Sequence, residues 1–171
     1  VDLSSKSTAL FGHVSYDINE RFNLAIGTRY FEDEREVTGS FFPETRNEKF
    51  DKLSSNISLS YTISENANVY LSIAEGFRSG GINFFSDRTY EPESVTAYEL
   101  GIKSVLFNGR LKTEAAIYLN DYTDYQADAL DPDFGAAITQ NPGEAEIQGF
   151  EISSQFKVSS FLSLGFNGNP T

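Results

Sequence analysis

EGFRSGGINFFSDRTYEPESVTAYELGIKSVLFNGR, residues Glu75 to Arg110, decides the fold. In Tyr98-Glu99-Leu100-Gly101-Ile102-Lys103 an extended backbone puts Tyr98, Leu100 and Ile102 on one face and Glu99, Gly101 and Lys103 on the other. Asn108-Gly109 separates this run from the next alternating run, and Asn-Gly in that setting is the strongest short signal for a two-residue hairpin turn. Such a turn fixes the register. Phe107 opposes Arg110, so Lys103 lies opposite Glu114, Ile102 opposite Ala115 and Leu100 opposite Ile117. Charge then meets charge on one face, and apolar side chain meets apolar side chain on the other.

The same two-faced pattern repeats outward in both directions. Leu10, Val14, Tyr16 and Ile18 share a face, interrupted by Phe11 on the other, and Phe22, Leu24, Ile26 and Tyr30 share the next. A turn at Asn19-Glu20-Arg21 brings Tyr16 opposite Leu24 and Val14 opposite Ile26. Leu53, Ile57, Leu59, Tyr61 and Ile63 alternate with Ser54, Asn56, Ser58, Ser60 and Thr62; Val69, Leu71, Ile73 and Phe77 alternate with Tyr70, Ser72, Ala74, Gly76 and Arg78. Glu75 falls on the apolar face, where periodicity gives it no reason to be. Phe150, Ile152, Phe156 and Val158 mark a further strand, and Leu162, Leu164 and Phe166 the start of another. Between the strands, short turns alternate with long polar stretches: Glu32 to Asp51, Ser79 to Ser94, and about Thr123 to Pro142. Gly76, Gly80 and Gly81 read as a loop exit at positive φ.

Composition excludes several classes. No apolar run approaches the roughly 18 residues of a spanning helix. A formal net charge of −12 leaves no basic surface for nucleic acid. Cysteine is absent, His13 is the single histidine, and no nucleophile and base stand together, so the sequence predicts no metal centre, no cofactor and no catalysis. The acidic run from Asp121 to Asp133 lacks the spacing of a calcium loop and reads as a solvated surface. No charged and then apolar leader marks Val1, and the chain stops at Asn169-Pro170-Thr171 directly after a strand-like run, so both ends read as cut.

Loops sorted by length onto two edges, joined by strand segments of about 9 to 11 residues, are what a transmembrane β-barrel requires. The expected fold is therefore all-β: an antiparallel up-and-down transmembrane barrel segment of about eight consecutive strands, with residues 1–171 forming one partial barrel domain. Two alternatives stay open. A stand-alone eight-stranded outer-membrane barrel with a structural or adhesive role would pair the first strand with the last. A soluble β-sandwich binding module would cover Leu53, Ile57, Leu59 and Tyr61.

GFRSGGIN (Gly76 to Asn83) followed by YEPESVTAYELGIKS (Tyr90 to Ser104) resembles the barrel of TonB-dependent outer-membrane receptors. LFGHVSYDINERFNLAIGTRY (Leu10 to Tyr30), IYLNDYTDYQ (Ile117 to Gln126) and IQGFEISSQF (Ile147 to Phe156) agree with it. The resemblance implies a multi-pass β-barrel of about 22 strands with a plugged lumen in the outer membrane of a Gram-negative cell. It also implies import of a scarce nutrient such as a ferric siderophore, with membrane lipid, a plug domain and the TonB energy-coupling protein as partners. The plug and the closing strands have no counterpart in these residues. Such receptors grip ligand with outer loops, upper lumen and plug, which makes Asn83, Phe84, Phe85, Tyr122, Tyr125 and Gln126 the candidate contacts, unless the aromatic rings belong to the interfacial girdle. Arg78, on the polar face at the long-loop end, suits an anionic ligand, a plug carboxylate or an interior ion pair. Lys103 and Glu114 read as a lumen-wall ion pair.

Overall fold

The computed structural model describes residues 2–38, 45–83, 88–133 and 135–169. Eight strands form one antiparallel sheet in the order β1 (Asp2–Asp17), β2 (Phe22–Thr38), β3 (Arg46–Ser64), β4 (Ala67–Arg78), β7 (Glu93–Leu106), β8 (Leu111–Leu130), β9 (Ala137–Lys157) and β10 (Ser163–Gly168). Between β4 and β7 the chain makes a separate small hairpin, β5 (Gly81–Ile82) with β6 (Thr89–Tyr90). The hairpin registers follow the side-chain pattern: Tyr16 pairs with Leu24, Val14 with Ile26, Lys103 with Glu114 and Leu100 with Ile117. Each is the pairing that keeps like faces together.

The sheet is open, with β1 and β10 at its two edges, so the chain does not close on itself as an eight-stranded barrel. Leu53, Ile57 and Leu59 are 60%, 43% and 38% exposed, and Leu10, Val14, Leu100, Ile117 and Phe150 are exposed with them, which removes the soluble sandwich. What remains is a wall with one apolar face and one polar face. From Tyr61 to Leu53 the apolar positions of β3 cover about 27 Å along the strand, at about 3.4 Å per residue. Tilted by about 40°, that spans about 21 Å, close to the height of a barrel's lipid-facing band.

Two of the expected loops are largely strand. β2 runs on to Thr38 and β3 begins at Arg46, while β8 runs to Leu130 and β9 begins at Ala137. Both hairpins rise beyond the apolar band into water, where neither face needs apolar residues and the alternation that betrays a strand is lost. Above Tyr30 and Leu53, the outward positions of β2 and β3 become Glu32, Asp51, Glu34 and Lys49, with Lys49 2.9 Å from Glu32 and 3.7 Å from Glu34.

At the same level the sheet splits. The β3–β4 ladder ends at Asn56 and Ala74, although β3 stays paired with β2 up to Arg46 and β4 with β7 up to Arg78. The split leaves the Ser55 N–H facing a strand that has moved away, and Glu75 Oε2 accepts it at 2.9 Å. This accounts for a carboxylate on the apolar face: it replaces a missing rung of the ladder. Glu75→Ala leaves that donor unpaired at the membrane rim and costs about 1–3 kcal/mol. Glu75→Gln, which keeps an acceptor, costs less than about 1 kcal/mol. Equilibrium unfolding of the full-length protein in detergent measures both.

Candidate functional site

On the polar face, mid-wall, three strands build one cluster. Tyr70 of β4 lies across from Gly101 of β7, and a Cβ at Gly101 would collide with the Tyr70 ring. Glycine is there so that the ring can lie flat over the neighbouring strand, which aims its hydroxyl at Glu99 Oε1 (2.6 Å) and toward Glu114 Oε1 (3.5 Å). Lys103 Nζ stands 5.0 Å from the centroid of the same ring and 2.7 Å from Glu114. The expected Lys103–Glu114 pair is therefore present, embedded in a network with Tyr70 and Glu99 that pair counting alone does not reveal. Nearer the short turns the polar face carries a concavity of about 750 Å³ whose lining includes Asn66, Asn68, Lys112, Thr113 and Ser154. It is remote from the long-loop end, where the other candidates lie.

At that end, the outer parts of the two half-sheets overlap. Phe31 of β2 and Lys52 of β3 belong to the polar-face positions, whereas Phe77 of β4 and Ser94 of β7 belong to the apolar-face positions. Yet the Phe31 and Phe77 rings meet edge to face at 6.0 Å and Lys52 Nζ donates to Ser94 Oγ at 3.2 Å. The end of β4–β7 has slipped inside β2–β3. Asp33, 3% exposed, sits in this overlap, accepting from Ser5 Oγ (2.8 Å), Arg35 Nε (2.8 Å) and Ser79. Burial acts to raise its carboxyl, but the hydrogen bonds from Arg35, Ser5 and Ser79 and the Arg35 charge outweigh it and hold it below the usual range.

Gly76, Gly80 and Gly81 are not at positive φ. They are points of close approach: a Cβ would strike Val95 at Gly76, the Tyr90 carbonyl and the Phe50 ring at Gly80, and the Tyr90 ring at Gly81. The chain leaving β4 is packed tightly, not turned.

The sequence-derived candidates part company here. Arg78 is exposed at the end of β4, opposite Glu93. Tyr122 and Tyr125 stand edge to face at 5.8 Å across an irregularity in β8, where Asp124 takes φ 53° and the register with β9 shifts. Asn83 and Gln126 are each 6% exposed and committed to backbone partners: Asn83 to Thr139, and Gln126 to the carbonyls of Ser79 and Glu91. Glu93 accepts the Gln126 N–H at 2.7 Å, and Asn141 donates to the Asp124 carbonyl at 2.6 Å. Phe84 and Phe85 lie outside the described residues. Sequence reasoning missed Glu93, Asn141 and Asp33, whose partners are mostly distant backbone groups that leave no periodic signal.

An open wall with a lipid-type band on one face, charged and hydroxyl side chains on the other, and long hairpins rising from one edge defines a segment of an outer-membrane β-barrel. Residues 1–170 match the family described as "TonB dependent receptor-like, beta-barrel", and the chain belongs to that family. It is 22% identical over 177 residues to the pesticin receptor of Yersinia enterocolitica and 23% identical over 155 residues to the metal-pseudopaline receptor CntO of Pseudomonas aeruginosa. These matches cover 97% and 86% of the chain but 26% and 21% of the relatives, so it spans about a quarter of their length. Its fold superposes on the ferric yersiniabactin uptake receptor FyuA of Yersinia pestis with a TM-score of 0.79 at 19% identity, over 98% of this chain and 26% of that one. The chain is thus part of the β-barrel of an outer-membrane receptor of the TonB-dependent family.

The mid-wall network gives a direct check. Gly101→Ala displaces the Tyr70 ring, breaks its bond to Glu99, and lowers stability in detergent by about 1–3 kcal/mol. Tyr70→Ala combined with Gly101→Ala adds little to either single change, because both remove the same contact.

Proposed function

We propose that this chain is the wall segment of a receptor that imports a scarce nutrient, best read as a ferric siderophore, by TonB-dependent active transport. The observation that carries the reading is the family match along essentially the whole chain. Among the relatives and similar structures, one is named a metal-pseudopaline receptor, one a ferric yersiniabactin uptake receptor and one a siderophore receptor. The intact protein would hold a plug domain inside the polar face and contact TonB through it. Arg78, Tyr122 and Tyr125, at the long-loop end, would meet ligand directly, with Arg78 favouring an anionic metal chelate. Asn83 and Gln126 would serve by holding the rim in shape, since their polar groups are engaged within the chain. Lys103 and Glu114 belong to the wall's internal network.

The test uses the full-length receptor in a strain stripped of other siderophore receptors, with labelled iron supplied as ferric hydroxamate, catecholate and phenolate complexes. Energy-dependent iron uptake from at least one class is expected. Arg78→Ala with Tyr125→Ala should raise the half-saturating concentration about tenfold, the loss of about 1.4 kcal/mol of binding, while uptake at saturation changes little. Uptake of none of these complexes contradicts the siderophore reading.

A further inference from the structure

Thr139 of β9 pairs with Asp128 of β8, yet its N–H donates to Asn83 Oδ1 at 2.8 Å and its carbonyl accepts from Asn83 Nδ2 at 2.9 Å. In an antiparallel strand the N–H and C=O of one residue point to the same side, alternating along the chain. Thr139 therefore turns both groups away from β8, toward the edge where, lower down, β10 pairs from Ser163 opposite Lys157 to Gly168 opposite Ile152. A primary amide carries the donor and acceptor of a peptide group. Asn83 fills the place of one residue of a neighbouring strand.

A second asparagine makes the reciprocal bond. Asn141, on β9, accepts the Glu91 N–H at 2.7 Å and donates to the Glu91 carbonyl at 3.0 Å. Between these two stitches Gln126 of β8 donates to the carbonyls of Ser79 and Glu91, both at 3.0 Å. Asn83, Gln126 and Ser79 are all more than nine-tenths buried, so the Asn83 and Gln126 amides are held in the packing, whereas the Asn141–Glu91 bonds lie nearer solvent.

We propose that residues 79–83 and 88–92 form a strap that crosses the outer end of β8 and takes the Thr139 N–H and C=O on the side of β9 that faces away from β8, so that the strap, and not the next barrel strand, is the partner of β9 at Thr139. The β9–β10 ladder then ends below Thr139. Above that level the strap holds the β8–β9 hairpin, and Ser79 on Asp33 ties the strap in turn to β2. This goes beyond the transport reading: it assigns the strap a fixed place in the rim, so that a ligand binding there has no ordering of this segment to drive.

Residue-resolved amide hydrogen exchange on the full-length receptor in lipid nanodiscs, with no ligand added, tests the strap. The Thr139 and Glu91 amides exchange slowly in the unaltered protein. Asn83→Ala speeds Thr139 by about tenfold or more, the loss of roughly one hydrogen bond, and leaves Glu91 slow; Asn141→Ala does the reverse. Asn83→Asp keeps the acceptor and leaves Thr139 protected, which provides a reading if the alanine variant fails to fold. A Thr139 amide that stays slow in Asn83→Ala means that another strand occupies the edge, and overturns the proposal. So does a Thr139 amide that exchanges in the unaltered protein as fast as the exposed Phe107–Arg110 turn. Because no ligand is involved, either result leaves the transport reading untouched.

Discussion

A backbone N–H or C=O that faces hydrocarbon has no water to turn to, and the rest of this structure follows from that constraint. Within the apolar band the ladders between neighbouring strands are regular, the exception being the short β3–β4 turn, where the register slips between Thr62 and Ser64. Where a rung is missing near the rim, at Ser55, a carboxylate from the lipid-facing side takes its place. Glu75 looks like an error when judged by side-chain polarity and becomes necessary when judged by backbone pairing.

Once the strands rise into water the constraint relaxes, and the architecture changes character. β2–β3 and β4–β7 part company, overlap face to back through Phe31 and Phe77, and rejoin through Lys52, Ser94, Ser79 and Asp33. Farther along, the amides of Asn83, Gln126 and Asn141 bond directly to backbone groups that would otherwise face solvent or another strand. Side chains here do the pairing that strands do in the membrane. The result is a rim whose shape is set by polar contacts between side chains and backbone.

The sequence exposed the membrane part clearly. Alternation in Tyr98 to Lys103 and the Asn108-Gly109 turn were enough to place Lys103 opposite Glu114, because a one-residue slip would have turned every apolar side chain inward. The rim was not legible for the opposite reason. Glu32 to Glu36 is charged on both faces, so a strand there leaves no periodic trace, and what reads as a loop is a hairpin extension. Gly80 and Gly81 carry the same letters whether they supply a turn or a close contact, and only the Tyr90 and Phe50 neighbours decide between the two. Asn83 and Gln126 are ligand candidates through the family resemblance, and the hydrogen-bond partners that their side chains have in the structure lie some 35 to 56 residues away along the chain, where no local pattern shows them.

The central claim is that one face of this wall meets lipid and the other a water-filled interior. Spin labels placed singly along β7 of the full-length receptor in bilayers, from Tyr98 to Lys103, test it most directly. The account predicts that labels at 98, 100 and 102 collide preferentially with oxygen dissolved in the lipid, and labels at 99 and 103 with a water-soluble paramagnet or with neither. Collision rates without that two-residue alternation, or alternating in the opposite phase, would contradict it.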